Sequence, residues 1–419
     1  MKAVLRLAAL SAWSRRLTLG LSLVAIALAV TLLLAVERIR GDARQSFTQS
    51  VSGVDLVVGA RTGSVQLMLY AVFHAGAASN NIGWDSYRAI ATHPAVDWAL
   101  PLSLGDSHRG FAVLGTSAEY FQRFRHGDGE ALRFREGQAF AGVFEVALGS
   151  EVAQRLGYRL GDSITLNHGM SELGPAHGDK PFRVVGILAA TGTPVDRTLH
   201  VGLDAISALH LDWVGGAPLP GVNIPAEFVA KFDLKPKEIT AALVGLKQRG
   251  DVFRMQRFVN QYRGEPLLGV MPGVALDELW QTIGIVERSL LAVSALVVLV
   301  GLAGLAATLL AGLNERRREL AILRALGAGP GEVFLMLTAE GLLVTTLGAL
   351  LGLALLAAGS GLAAPWLLER FGVVLATRWP GSEELALIGA VILTGLLASL
   401  VPGWRAWRMS LADGLTPRL

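Results

Sequence analysis

The residues best equipped for chemistry in this chain are its eight histidines, His74, His93, His108, His126, His168, His177, His200 and His210, all within residues 74–210. His168 and His177 stand in a glycine-rich loop beside Asp179, and His200 follows Asp196. Imidazole nitrogens and carboxylate oxygens are donors that zinc accepts, so His168, His177, Asp179 and His200 make up a candidate metal set. The competing explanation is compositional. Histidine belongs on water-facing surface and is scarce in apolar spans, and no H-x-x-H or H-E-x-x-H pattern places two ligands on one helix face.

Other chemistries are excluded by what the sequence lacks. There is no cysteine, which removes disulfides, thiolate metal sites and thiol nucleophiles. No G-x-S-x-G elbow presents a serine. No G-x-x-x-x-G-K-[ST] loop is present to cradle ATP phosphates. Thr191 to Arg197 reads as an ordered loop turning at Thr193-Pro194, structural or partner-binding rather than catalytic. The chain is not expected to be an enzyme by itself. Its formal net charge of +3 is too small to point to nucleic acid.

A second constellation is the segment Asn314 to Ala328, charged and clamped between apolar runs. On a helix, Leu320, Leu323 and Leu326 share one face, with Arg316 and Glu319 on the flanks. Anchoring at a membrane surface would require arginines such as Arg316, Arg318 and Arg324 but not this pattern. Further on, Glu340 falls about two turns into an apolar helix, where an ionised carboxylate is costly. It either faces a neighbouring subunit, binds a proton, or stabilises a junction near arginines at the interface. Gly348-x-x-x-Gly352 suits close helix packing.

The elements that must position these residues follow from composition. Hydrophobic residues make up 52% and charged residues 17% of the 419, with a mean hydropathy of +0.48, and the apolar excess is gathered into four blocks. A basic N-terminus (1–16) precedes a span at 17–36. That span is too long, and its end too poor in small residues, for a cleaved signal peptide. Residues 37–287 are polar enough to fold in water and carry strand and turn signals, with a β-rich insert at about 142–205 inside one α+β domain. A helical pattern from Leu276 leads without a strong break into a span at 289–313. The charged segment (314–332), a third span (333–359), a short loop (361–384), a fourth span (385–401) closed by Pro402-Gly403, and a tail (402–419) complete the chain. The expected fold class is a four-helix membrane protein with a large α+β periplasmic domain. Basic residues concentrate in the N-terminus, the charged segment and the tail, which puts both termini in the cytoplasm and the large domain outside.

This layout, with Glu315-Arg316-Arg317-Arg318-Glu319-Leu320-Ala321-Ile322-Leu323-Arg324-Ala325-Leu326-Gly327-Ala328, resembles the permease subunits of type VII ABC transporters, the MacB/LolC/LolE/FtsX group. Arg405-Ala406-Trp407-Arg408 echoes that group's closing motif, and Val146-Ala147-Leu148-Gly149-Ser150 with Gly161-Asp162 resembles the start of its small inserted domain. Leu320-Ala321 stands where Ile-Gly is commoner, and the ending after Arg408 departs from the usual one. The resemblance implies a charged segment that couples to a cytoplasmic ABC ATPase present in two copies, which supplies ATP and Mg, through Glu315, Arg316, Arg318, Glu319, Leu320, Leu323, Arg324, Leu326 and Gly327. It also implies a second permease copy or a related permease, a periplasmic or outer-membrane partner, and mechanotransmission across the inner membrane. The cargo would be a lipid, lipoprotein, peptide or drug. Two alternatives remain open at this point: an FtsX-like regulator of a cell-wall hydrolase, and a metal-linked system using the histidines and zinc.

Overall fold

The structure, a computed structural model, describes residues 16–76, 78, 80–169, 177–214, 217–219, 222, 224–315, 320, 324–325, 327–371 and 378–408. The chain divides into two units. One is formed by residues 1–43 with 284–419, the other by residues 44–283.

Among the described residues, four helices are long and apolar enough to cross a membrane, and a helix satisfies its own backbone polar groups in hydrocarbon. They are Arg16–Gln49, Pro272–Glu315, Pro330–Phe371 and Ser382–Arg408. Each outruns the span expected for it. The second is a single helix from Pro272 to Glu315, in keeping with the unbroken pattern from Leu276. The fourth does not stop at Pro402-Gly403 but continues to Arg408 with the proline inside it. A proline removes one donor without ending a helix whose neighbours hold it in place.

The bundle core is aliphatic, with Ile26, Val30 and Leu34 of the first helix meeting Leu302 and Leu305 of the second and Val344 of the third. Small residues bring the backbones together. A methyl group on Gly352 would lie 2.7 Å from the Ala27 carbonyl oxygen, and one on Gly348 would lie 2.8 Å from Ile26. The Gly348/Gly352 pair therefore packs against this chain's own first helix, and the Thr31 hydroxyl donates to the Gly352 carbonyl at 3.0 Å. The third and fourth helices close up in the same way, Gly341 against Ser399 and Gly395 against Thr345. A deeply buried charged pair sits in this unit: Arg38 grips Glu384 with two parallel hydrogen bonds, Nε to Oε1 at 3.0 Å and Nη2 to Oε2 at 2.7 Å. Both side chains are only 3% exposed.

The soluble unit is built on one mixed sheet. Its nine principal strands are β1 (Leu56–Ala60), β2 (Val96–His108), β3 (Phe111–Thr116), β4 (Phe134–Gly137), β5 (Glu145–Leu148), β6 (Phe182–Leu188), β7 (Thr198–Gly202), β8 (Ala241–Leu246) and β9 (Leu267–Val270). The spatial order is β9-β1-β8-β2-β3-β7-β5-β6-β4, with β3·β7 and β5·β6 parallel and the other neighbours antiparallel. β1 and β8 are buried along their whole length, as expected of central strands that read as continuous apolar runs.

β2 joins two halves. Val96 to Leu102 pairs with β8, and Ser103 to His108 pairs with β3. The strands of the expected insert, about 142–205, lie in the same sheet as β3 and β4, which flank them. The apolar core around Val113, Val146, Leu148, Phe182, Leu199 and Val201 fills this second half.

Removing one partner of a buried ion pair strands the other charge, at a cost of about 3–5 kcal/mol. We expect Arg38→Met and Glu384→Leu each to lower the thermal midpoint of the protein in detergent, and the double variant to recover most of the loss. Additive losses in that cycle would show that the pair is not coupled.

Candidate functional site

The structure gathers part of the predicted histidine set and rearranges the rest. Near the end of β2 a bulge leaves Gly105 without a counterpart on β3, so that Leu104 faces Leu114 and Asp106 faces Val113. A bulge re-aims the side chain that follows it. The two-residue strand Asn167–His168 pairs with this stretch and sets His168 across from Asp106. His177 is held by its own N–H donating to the Leu166 carbonyl at 2.8 Å. His210 caps the helix Leu203–Leu209, and its Nδ1–H donates to the Ile206 carbonyl at 2.8 Å.

Asp106, His168, His177 and His210 offer one donor atom each, all within 4.8 Å of one another. His168 Nδ1 is 3.2 Å from Asp106 Oδ1 and 3.0 Å from His210 Nε2. The Trp213 ring covers the cluster, 4.4 Å from the His177 ring. Asp106 and His177 are 2% and 1% exposed, while His168 and His210 are partly open to solvent. The Asp106 carboxylate, first by its hydrogen bond, raises the His168 pKa. Burial pushes His177 down to about 4.

Two expected ligands are elsewhere. Asp179 pairs with Lys180 at 3.2 Å, and Lys180, fully buried, is held at 2.8 Å by Asp212. A carboxylate committed to that cation does not turn into the cluster. His200 lies in β7 against Tyr120 and Phe121, with ring centroids 5.5 and 5.6 Å away. Spacing from Asp196 suggested a ligand, but Asp196 accepts hydrogen bonds from Thr191 and Gly192 and shapes its own loop. Sequence reasoning missed Asp106 and His210. The Gly-Asp step inside an apolar strand was the available signal for a bulge.

The second constellation is described in part. Arg316, Arg318, Glu319, Leu323 and Leu326 lie outside the described residues, and Glu315 ends the second long helix. Leu320 is 6% exposed. It packs with Leu313, Val333, Met336, Leu337 and Ala406. Arg324 is half-buried, and the turn closes at exposed Gly327 with a φ of +102°, a conformation that favours glycine. Glu340 is buried, at 2% exposure, within the membrane unit.

Comparison with known proteins accounts for most of this layout. The FtsX-like permease C-terminal model matches residues 291–411, and the MacB-like periplasmic core domain model matches residues 19–213. The chain belongs to the MacB/FtsX-like permeases of type VII ABC transporters. It is a membrane protein with a periplasmic-type domain, and its family works with an ABC ATPase. Among solved structures it is similar to the periplasmic region of MacB from Actinobacillus actinomycetemcomitans. That match has 13% identity and a TM-score of 0.33, covering 57% of this chain and 98% of that one. It is also similar to the extracellular domain of the noncanonic ABC-type transporter YknZ from Gram-positive bacteria. Here identity is 10% and the TM-score 0.30, covering 52% of this chain and 98% of that one. No curated protein matches the chain.

The displaced histidine has a measurable consequence. Burial pushes His200 down to about 3 and its neighbour His74 down to about 4. In the unfolded chain both titrate near 6.5. The unfolded state therefore binds more protons between those values. The stability linked to the neutral rings is complete above pH 6.5 and drains as pH falls toward the folded values, by ~1.4 kcal/mol per pH unit per ring. We expect the urea midpoint of the soluble unit, followed in the full chain, to drop between pH 7 and pH 5. His200→Phe should flatten that drop. An identical slope in the variant would remove His200 from the explanation.

Proposed function

We propose that this chain is the permease of an ATP-driven transporter that works by mechanotransmission, with ATP hydrolysis supplied by a separate ATPase. Both termini and the charged segment face the cytoplasm, and the soluble unit faces the periplasm. Two ATPase copies, carrying ATP and Mg, engage the charged segment of this permease and of a second, identical or related, permease. Cargo such as a lipid, lipoprotein, peptide or drug is extracted or exported on the periplasmic side rather than threaded through this chain.

The observation that carries the reading is the seat of Leu320. This residue of the coupling motif is buried against the end of the second long helix, the start of the third and the end of the fourth. Packed apolar contacts resist compression and transmit displacement. A push on Arg324 or on neighbouring arginines thus reaches three spans through one leucine. The inward turn of Leu320 also divides the motif's labour. Its apolar residue grips the bundle, leaving the charged positions to set register on the ATPase.

Two tests follow. Arg324→Glu or Glu319→Arg should insert normally yet lose at least ~90% of permease-stimulated ATP hydrolysis in vesicles reconstituted with the partner ATPase, a drop worth about 1.4 kcal/mol or more. Unaltered stimulation would sink the coupling assignment. The orientation is testable because the chain has no cysteine of its own. A membrane-impermeant maleimide should label Glu119→Cys in intact spheroplasts and Ala325→Cys only after permeabilisation, and the reverse pattern would invert the topology.

A further inference from the structure

We propose that Asp106, His168, His177 and His210 form a binding site for a single divalent transition-metal ion of the zinc class, on the soluble unit. The inference stands apart from the permease reading and would survive its failure.

The donor set suits such an ion. Three imidazoles and one carboxylate are the borderline nitrogen and oxygen ligands that zinc takes in tetrahedral sites. Ligand bonds of about 2.0–2.2 Å at tetrahedral angles place neighbouring donor atoms roughly 3.3 Å apart. The observed separations are 3.0 Å between His168 and His210, 3.2 Å between His168 and Asp106, and 3.7 Å between His210 and Asp106. His177 completes the group within the 4.8 Å limit.

His177 is the observation that a hydrogen-bonded histidine cluster does not explain. Both of its ring nitrogens are buried and meet no hydrogen-bond partner among the described residues. Its ring nonetheless lies edge-on to those of His210 and His168, with centroids 5.3 and 6.2 Å away. Burying an imidazole with neither nitrogen satisfied is destabilising, because the ring gives up its hydrogen bonds to water and gains none in return. A metal bond at one nitrogen removes most of that penalty.

Outer contacts favour the same arrangement. The Nδ1–H of His210 is committed to the Ile206 carbonyl, which fixes the tautomer and leaves Nε2 with a lone pair aimed into the cluster, as in metal-bound histidines. Trp213 provides an apolar cover. The side chains of His168 and His210 are 31% and 28% exposed, so an ion has a route in from solvent and the site is exchangeable. Bound there, it would tie the bulged end of β2 to the short strand, the 177–180 turn and the C-terminal end of the helix Leu203–Leu209.

The test uses the full chain purified in detergent with a histidine-free tag and stripped with chelator. Titration with Zn²⁺ should give one equivalent bound per chain, and Co²⁺ should give the visible absorption of a tetrahedral nitrogen/oxygen site. His210→Gln and Asp106→Asn, one half-exposed and one a near-isosteric change, should each weaken Zn²⁺ binding by about tenfold or more. His93→Gln with His126→Gln should leave it unchanged. Zn²⁺ should also raise the thermal midpoint of the unaltered chain and not of the two ligand variants. Stoichiometry well below one, or equal affinity in His210→Gln and Asp106→Asn, would overturn the site. So would loss of binding in the His93/His126 control, because the ion would then be held by surface histidines.

Discussion

Backbone contact between helices governs the membrane unit. Lipid tails are as apolar as leucine, so association in the bilayer rests on packing and on what the backbones can reach. The third long helix is the hub. Gly348 and Gly352 admit the first helix on one side, and Gly341 faces Ser399 of the fourth on another. With that hub in place, aliphatic side chains fill much of the remaining contact, and a buried ion pair, Arg38 with Glu384, locks the first and fourth helices to each other. The same helix begins beside Leu320. The helix that admits its neighbours this closely is also one whose start packs against Leu320 of the charged segment.

The soluble unit depends on a different device. β2 is long enough to serve two ladders, and its bulge at Gly105 separates a largely apolar stretch from one of buried polar residues. Before the bulge the strand contributes Leu100 and Leu102 to an apolar core. After it, Asp106, Ser107 and His108 are buried polar residues, each satisfied by a partner from the 158–169 region: His168 for Asp106, Gly169 for Ser107, Tyr158 and Thr165 for His108. Polar burial of this density is tolerated because its members bond one another.

Much of this was legible in residue order. The four spans follow from apolar length alone, and strands such as Leu267–Val270 and helices such as Ser150–Leu156 fall where turn residues bracket them. What residue order did not disclose was pairing across distance. His168 and His177 were recognisable as a pair because they are close in the chain, whereas Asp106 and His210 are brought to them by a bulged strand and a helix end more than thirty residues away. Asp179 looked like a ligand until the buried Lys180 claimed it. Leu320 looked like part of a docking face because periodicity identifies an apolar stripe without saying what covers it. Pro402 looked like a stop because helix propensity ignores the support of neighbouring helices.

β2 has one more consequence. Its thirteen residues are shared by two ladders, Val96 to Leu102 with β8 and Ser103 to His108 with β3, so neither half of the sheet can open without unzipping a strand that the other half needs. The two halves therefore constitute one cooperative folding unit. Amide protons from Val96 to His108 exchange only when both halves come apart together.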